Sequence, residues 1–429
     1  MAKWLSKNKK LILMILFTLG ALLIWRFGTK ITVPLFSANN LSNSDTSQLF
    51  GFLDIFTGGA LSQFSILALG ISPYITSSIV IELLKMDIIP QFKEWSEEGE
   101  EGRAKLSQWT RYIALLLAFV QSITVIVGVG HSSAALYFDP TVNMNAFTYL
   151  YMALVMTAGT AFVMWLADQI TMHGIGNGGS MIIVAGIVAE LPAMFVSLWN
   201  QFISIDERTA WTIIQFIIIC VMFIAIIVAV VWFEGIHRHI PIQYANKPSA
   251  YKLIGKQDSP FQIKLNSASV IPVIFASTIL SIPLTVINFV GVEDASWWNI
   301  IFSTNKPIGF VIYILLIFVF SFFYSFLQID PDKVADNLKK QNAYIPGYKP
   351  GEETADFISR VLFKVTLLGA TYLAVLAALP IIVAACFPSL PATVQIGGTS
   401  LMIVVGVAIE TVKQIKTATK EQEYHGFIE

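Results

Sequence analysis

The sequence predicts an all-α polytopic membrane protein with ten transmembrane helices, the second of them broken. Of its 429 residues, 55% are hydrophobic and only 13% are charged. Soluble domains carry about 25% charged residues, so this composition excludes an ordinary soluble protein. Long apolar runs and an interruption within one of them supply the two further observations on which the prediction depends.

Nine uninterrupted runs are long enough to cross a hydrocarbon core about 30 Å thick. They lie near residues 11–27, 110–130, 147–167, 180–200, 210–233, 267–290, 307–328, 361–385 and 397–416. The first run and the basic segment before it together resemble a signal peptide. No small-residue cleavage site ends the run, however, so we predict a retained helix. A tenth helix is predicted from Pro73 to about Leu84.

The second helix is interrupted in residues 58–74, which read GGALSQFSILALGISPY. Residues 60–69 predict a short helix of about 15 Å, half the depth of the hydrocarbon core. Gly70 interrupts it, after which Ser72 is expected to cap a new helix with Pro73 in its first turn. Irregular backbone at membrane depth is tolerated only inside protein or beside a water-filled cavity. Two functions fit: a transporter with a midplane site, or a pore with a movable stopper.

The distribution of charges favours the pore. A transporter of charged solutes places ionisable groups near the midplane, facing the bundle interior. Here Glu82, Asp168 and Glu410 fall at helix ends, and Glu190 is the acidic residue expected within the bilayer. Isoleucines occur instead at one-turn spacings, at 71 and 75 and at 183 and 187. They predict either a constriction that blocks ions by dewetting or ordinary packing residues.

Basic residues predict the orientation. Of the 27 Lys and Arg residues, 23 fall on one side of the ten-span arrangement and four on the other. Positive charge marks the cytoplasmic face, so both termini are predicted to be cytosolic.

Two basic loops on that side have sequences typical of built structure. In 234–266, HIPIQYA and FQIKLN alternate apolar and polar residues, which predicts a β-hairpin. In 329–360, Asp330 is placed to cap a helix beginning at Pro331, with turns expected at 345–347 and 350–351. The loops could serve topology alone, but such structure favours docking of a cytosolic partner.

No phosphate-binding loop, nucleotide fingerprint or catalytic dyad is present in the sequence, so we expect neither enzymatic activity nor a cofactor or metal site. A secondary transporter with broken helices remains the alternative. An intramembrane protease would require paired aspartates or a serine–histidine arrangement within the spans, which the sequence does not offer.

Several segments resemble the SecY family, the channel subunits of the bacterial Sec protein translocase. GGALSQFSILALGISPYITSSIVIELL resembles the family's plug and second helix. WLADQITMHGIGNGGSMIIVAGIVA resembles its fifth-helix entry, IPIQYA its hairpin loop and ASVIPVIFAS its seventh helix. DPDKVADNLKKQNAYIPGYKPG resembles the loop before helix nine, and GGTSLMIVVGVAIETVKQI resembles helix ten. The matches follow the family's order over the whole chain.

The resemblance implies two pseudo-symmetric five-helix halves, residues 1–205 and 206–429, around an hourglass channel. It implies a plug at residues 60–70, represented by Leu61, Ser62, Phe64, Ile66, Leu67 and Gly70. It also implies a constriction formed by Ile71, Ile75, Ile187, Ile274 and Ile403, with Ile183 as a neighbour. A lateral gate would lie between helices two and three and helices seven and eight, with Thr76, Ser77 and Gln121 as polar candidates.

The family's partners are implied in the same way. SecE would clamp the two halves and SecG would lie at the periphery, in a bacterial plasma membrane. The SecA motor ATPase or the ribosome would dock on the two loops and supply the energy for passing secretory preproteins, while membrane segments leave into lipid. Candidate docking residues are Arg238, His239, Lys247, Lys339, Lys340, Lys349 and Arg360.

Four positions depart from the family pattern. Gly179 stands where isoleucine is usual, His239 where a second basic residue is common, and Glu190 where a small residue is expected. Lys349 replaces a typical arginine and loses the planar, bidentate guanidinium.

Overall fold

The computed structural model describes the backbone of nine segments of the chain. These are residues 9–35, 57–85, 89–137, 145–203, 210–244, 261–290, 296–304, 306–386 and 392–425. The docking candidate Lys247 and the predicted boundary between residues 205 and 206 lie outside the described residues.

A helix occupies each of the ten segments predicted to span the membrane. The ten are α1 (Lys9–Gly28), α2 (Ser72–Leu84), α4 (Glu100–Tyr137), α5 (Ala146–His173), α6 (Gly178–Phe202), α7 (Ala210–Glu234), α8 (Ile271–Val290), α10 (Pro307–Gln328), α12 (Glu352–Cys386) and α13 (Ala392–His425). Shorter helices are α3 (Pro90–Glu97), α9 (Ser296–Phe302) and α11 (Pro331–Lys340). Within the described residues, seven helices are long and apolar enough to cross a membrane, and α2 and the first part of α8 are shorter apolar helices. These observations are consistent with ten spans.

The outer surface of the bundle is apolar, as a lipid-facing surface requires. On α7, Ile224, Val228 and Trp232 expose more than half of their surface. Exposed apolar area of this extent is unfavourable in water but not against lipid chains, which are themselves apolar.

Helix packing follows the chain closely. Helix α4 packs against α2 and α5, and α5 packs against α1 and α6. Later in the chain, α10 packs against α8 and α12, while α13 packs against α7 and α12. The two groups meet where α8 contacts α4 and α2 and where α13 contacts α6. The largest hydrophobic cluster draws residues from both groups, so it lies at the centre of the bundle.

The predicted helix at residues 60–69 is wrong: the backbone there is a succession of turns. Phe64 and Gly70 have positive φ angles of 45° and 53°, which an α-helix does not allow. The segment pairs instead with the chain that follows α1. The Val33 N–H donates to the Phe64 carbonyl at 2.8 Å, and the Ile66 N–H donates to the Ile31 carbonyl at 2.8 Å. This pairing satisfies backbone groups that helix formation would otherwise have satisfied.

The cap predicted for α2 is also wrong. Ile71, not Ser72, occupies the N-cap position, and no side chain caps this end. Pro73 lies in the first turn, where its missing N–H leaves no donor unsatisfied.

The two long loops form one packed unit. Strand β1 (His237–Ile240) pairs antiparallel with β3 (Phe261–Lys264), which confirms the hairpin. Helix α11 confirms the predicted cap, because Asp330 Oδ1 accepts hydrogen bonds from the N–H groups of Asp332 at 3.1 Å and Lys333 at 3.3 Å. The sequence did not predict that β2 (Gln243–Tyr244) pairs with β4 (Ala343–Tyr344) and so joins the loops. We call residues 237–244, 261–264 and 331–360 the loop unit.

Candidate functional site

Residues 57–71 contain the predicted plug at 60–70, and we call them the plug segment; except at Ser62 they lie buried or half-buried in the helix bundle. Ala60, Leu61 and Ala68 expose 2% or less of their surface. The predicted plug residues Leu61, Phe64, Leu67 and Gly70 are buried and Ile66 is half-buried, whereas Ser62 is exposed. The Ser62 hydroxyl donates to the Gly59 carbonyl at 3.1 Å. The segment therefore has the burial of a core element without regular secondary structure.

The plug segment packs directly against helix α5 at Gly159, and we call this contact its seat. A Cβ atom at Gly159 would collide with the backbone carbonyl of Ile66, so the plug backbone lies directly on this helix. On the same side, Leu61 and Phe64 belong to a hydrophobic cluster with residues of α4 and α5, such as Ala118 and Met152. The glycine on α5 is what permits the close approach.

The predicted constriction residues lie in or against one hydrophobic cluster at the centre of the bundle. Its buried members include Ile71, Ile183, Ile187 and Ile403, and Ile75 and Ile274 pack against it half-buried. They come from the start of α2 and from α6, α8 and α13. An apolar cluster built from several helices can exclude water and ions while remaining able to separate.

Gly179, one of the four departures from the family pattern, has a structural role. The Asn177 side chain caps α6 by accepting from the Gly179 N–H at 3.0 Å. A Cβ at Gly179 would lie 3.3 Å from Ile71 Cδ1. The glycine therefore makes room for a member of the central cluster.

The gate candidates differ in their contacts. The Thr76 hydroxyl donates to the carbonyl of Ser72 in its own helix at 3.1 Å. The Ser77 hydroxyl donates to the carbonyl of Thr110 at 2.6 Å, which links α2 to α4 on one side of the predicted seam. Gln121 lies half-exposed on α4, the helix that packs against α8.

The described docking candidates are exposed on the loop unit: Arg238, His239, Lys339, Lys340, Lys349 and Arg360. The Lys349 side chain is 85% exposed, and its Nζ lies 3.6 Å from Glu353 Oε1. The Lys349 backbone N–H also donates to Glu353 Oε2 at 3.1 Å. Arg360 Nε donates to the Asp356 carbonyl at 3.3 Å, within its own helix.

Sequence reasoning missed the acidic part of this surface. A groove of about 500 Å³ lies between α11 and the start of α12. Its charged lining residues are Asp332, Asp336, Lys339, Lys349, Glu352 and Glu353. The acidic residues of DPDKVAD and GEE are the signal in the sequence that indicates this part of the surface. Among the residues that the structure describes, no group of three or more His, Cys, Asp and Glu side chains could hold a metal ion.

A bundle of membrane-spanning helices whose centre is apolar and whose second span is preceded by a buried, irregular segment has the architecture of a channel-type membrane protein. Residues 65–412 match the family model described as SecY. The chain belongs to the SecY family.

Curated relatives agree with this assignment. The chain is 45% identical over 417 residues to the protein translocase subunit SecY of Bacillus licheniformis, a match that covers 96% of each chain. It is 43% identical over 416 residues to the corresponding subunit of Bacillus subtilis, again covering 96% of each. The Staphylococcus aureus subunit is 45% identical over 418 residues, covering 96% of this chain and 95% of its own.

Solved structures share the fold. One titled "The structure of a protein conducting channel" superposes with a TM-score of 0.62 at 17% identity, covering 96% of this chain and 93% of its own. Sec61 in a canine ribosome-channel complex from the endoplasmic reticulum gives 0.62 at 16% identity with the same coverage. The comparisons do not favour the alternative of a secondary transporter.

Proposed function

We propose that this chain is the protein-conducting channel of a Sec translocase, which passes unfolded preproteins across a membrane. The observation that carries the proposal is the plug segment, buried against α4 and α5 beside the central isoleucine cluster. Family membership supports it, because the relatives are named as protein translocase subunits.

In this proposal the central isoleucines form the seal and the plug segment supports it from one side. Residues 1–205 and 206–429 act as two halves that separate when a preprotein enters. The seam between α2 and α4 on one side and α8 and α10 on the other opens toward lipid, so that membrane segments leave laterally. Contacts of α8 with α4 and α2 support a closed seam.

The proposed partners are SecE and SecG within the membrane and SecA or the ribosome on the loop unit. These partners supply the energy, and the chain itself is no enzyme. The exposed charges of the loop unit support docking, and one fold relative is described in a ribosome-channel complex.

We place the protein in a bacterial plasma membrane with both termini in the cytosol, on the strength of the 23 Lys and Arg residues assigned to one side. Reporter fusions at Lys256 and Lys340 should read cytosolic, and fusions at Asn143 and Asn305 should read external. A cytosolic signal at Asn143 would contradict the ten-span topology.

Crosslinking tests the channel function directly. A photoreactive residue at Ile75 or Ile274, both beside the central cluster, should crosslink to a stalled secretory chain. Leu315 on α10 is the matched control, because it is 57% exposed on the outer surface of the bundle. Crosslinks equal to or weaker than those from Leu315 would overturn the proposal.

A further inference from the structure

The plug segment begins at two adjacent glycines, Gly58 and Gly59, which we call the neck. Both are buried and both have positive φ angles, 67° and 76°. The neck runs between α1 and α6. A Cβ at Gly58 would lie 3.1 Å from the Gly186 backbone of α6 and 3.1 Å from the Trp25 ring of α1. Glycine is required both for this backbone conformation and for this close approach.

Two charged residues of opposite sign hold the neck from these helices. Arg26 Nη1 on α1 donates a hydrogen bond to the Gly58 carbonyl at 2.6 Å. On α6 the carboxylate of Glu190 lies against Gly59, where a Cβ would collide with its Oε1 atom. Both charged residues are half-buried. They therefore contact consecutive residues of the same backbone turn.

The position of Glu190 within α6 argues against an incidental role. Glu190 lies near the middle of α6, a helix long and apolar enough to cross a membrane. A charged side chain at such depth is costly, and by default it indicates function. Elsewhere the plug segment makes apolar contacts and backbone hydrogen bonds, together with side-chain bonds such as the one that the Ser62 hydroxyl donates to the Gly59 carbonyl at 3.1 Å and the one that Lys30 Nζ donates to Gln63 Oε1 at 3.1 Å.

We propose that Arg26 and Glu190 form a charged clasp that holds the Gly58–Gly59 neck and so keeps the plug segment in the closed channel. Both are positioning residues, because they act through the plug backbone. The inference rests on the proposed channel function and adds a latch that determines how readily the plug leaves. When a preprotein displaces the plug, the Gly58 carbonyl leaves Arg26 and the neck turns away from Glu190.

Cysteine labelling of the plug tests the clasp. Ala68 is fully buried, so Ala68→Cys in a chain with Cys220→Ala and Cys386→Ala reports departure of the plug. The purified complex is reconstituted in vesicles and its reaction rate with a water-soluble maleimide is measured without preprotein. Glu190→Gln and Arg26→Gln should each raise the rate roughly tenfold, because Arg26→Gln removes the charged donor to the Gly58 carbonyl and Glu190→Gln removes the charge beside Gly59. Rates within twofold of the parent for both variants would overturn the clasp.

Matched controls separate the clasp from a general effect of charge. Glu410→Gln and Lys306→Gln remove exposed charges within α13 and at the start of α10, and should leave the labelling rate unchanged. The double variant Arg26→Glu with Glu190→Arg keeps the net charge but places a carboxylate beside the Gly58 carbonyl. We expect it to label as fast as the single variants. If it restores the parental rate, the two residues merely neutralise one another and the clasp is wrong.

Two further results keep the outcomes distinct. Addition of a preprotein with its energy source should expose Ala68→Cys in the parent, and failure there contradicts the channel function rather than the clasp.

Where the Gln variants do not assemble, Glu190→Asp supplies the test, because it keeps the charge but shortens the side chain. It should label at an intermediate rate while Arg26→Lys stays near the parent, and a parental rate for Glu190→Asp would overturn the proposal.

Discussion

The plug segment and the loop unit are both connections between membrane helices, yet they are built on opposite principles. The plug segment has irregular backbone and lies buried among helices. The loop unit has paired strands and a capped helix, and its charged side chains are exposed. The difference follows from what surrounds each one.

A connection outside the bundle must supply its own core. The loop unit does so by packing Ile240, Ile263, Leu338 and Ile358 into a separate hydrophobic cluster. The plug segment has no core of its own and packs its apolar side chains against α4 and α5. It also makes a few backbone hydrogen bonds to the chain after α1. An element that packs only against surrounding helices can move away from them without unfolding a core of its own. An element with its own core is suited to presenting a fixed surface.

The largest effect is expected where the plug segment meets its seat. Gly159→Ala places a methyl group against the Ile66 carbonyl, and overpacking of a tight contact costs about 1–3 kcal/mol. The ion conductance of the purified complex at rest in planar bilayers should rise roughly tenfold or more, since 1.4 kcal/mol is a factor of ten in an equilibrium.

Gly20→Ala is the control for this substitution, since nothing lies within 4 Å of the added atom. Equal resting conductance in the two variants would show that the plug segment does not depend on its contact with α5.

The central cluster should give the next largest effect. The double variant Ile75→Asn with Ile274→Asn puts polar groups beside an apolar constriction, so water should enter and resting conductance should rise about fivefold. Ile75→Leu with Ile274→Leu keeps the apolar volume and should stay closed. An unchanged conductance in the Asn variant would return these residues to ordinary packing.

Charge reversal on the loop unit tests its role as a docking surface. Lys349→Glu removes the pairing with Glu353 and replaces attraction with repulsion toward an acidic group of the partner. SecA-driven translocation should therefore fall severalfold. Membrane insertion and assembly with SecE should stay normal. Rates of preprotein translocation into vesicles supply the measurement.

Lys333→Glu is the matched variant, because Lys333 is also exposed on the loop unit and pairs locally with Asp330. A translocation rate for Lys349→Glu equal to that of Lys333→Glu would mean that no partner contacts Lys349 in particular.

The smallest effect is expected within the loop unit itself. Tyr344→Phe removes the hydrogen bond that the Tyr344 hydroxyl donates to Gln243 Oε1 at 3.1 Å. A part-buried bond of this kind lies at the low end of the usual range, about 0.6 kcal/mol, so limited proteolysis of the loops should speed up by about threefold. Tyr348→Phe keeps its ring packed on Phe357 and should leave the cleavage rate unchanged. Equal cleavage rates would show that the β2–β4 junction adds no stability.

The sequence by itself determined the membrane helices and the regular parts of the loop unit. Apolar runs give the spans because hydrophobicity over some twenty consecutive residues decides membrane insertion. The β1–β3 hairpin and the Asp330 cap were predicted correctly because alternation and capping act over a few neighbouring residues. The isoleucines of the central cluster were singled out by spacing and resemblance, and their function as a seal stays a prediction.

Only the tertiary structure decided the plug segment. Its residues favour a short helix locally, but pairing with residues 31–33 and the seat at Gly159 hold it in turns. The same holds for the β2–β4 pairing and for Arg26 and Glu190, which meet the neck from two helices far apart in the chain. Such contacts join segments separated by tens to more than a hundred residues. No local pattern encodes them, because the free energy that selects them arises only once the surrounding helices have packed.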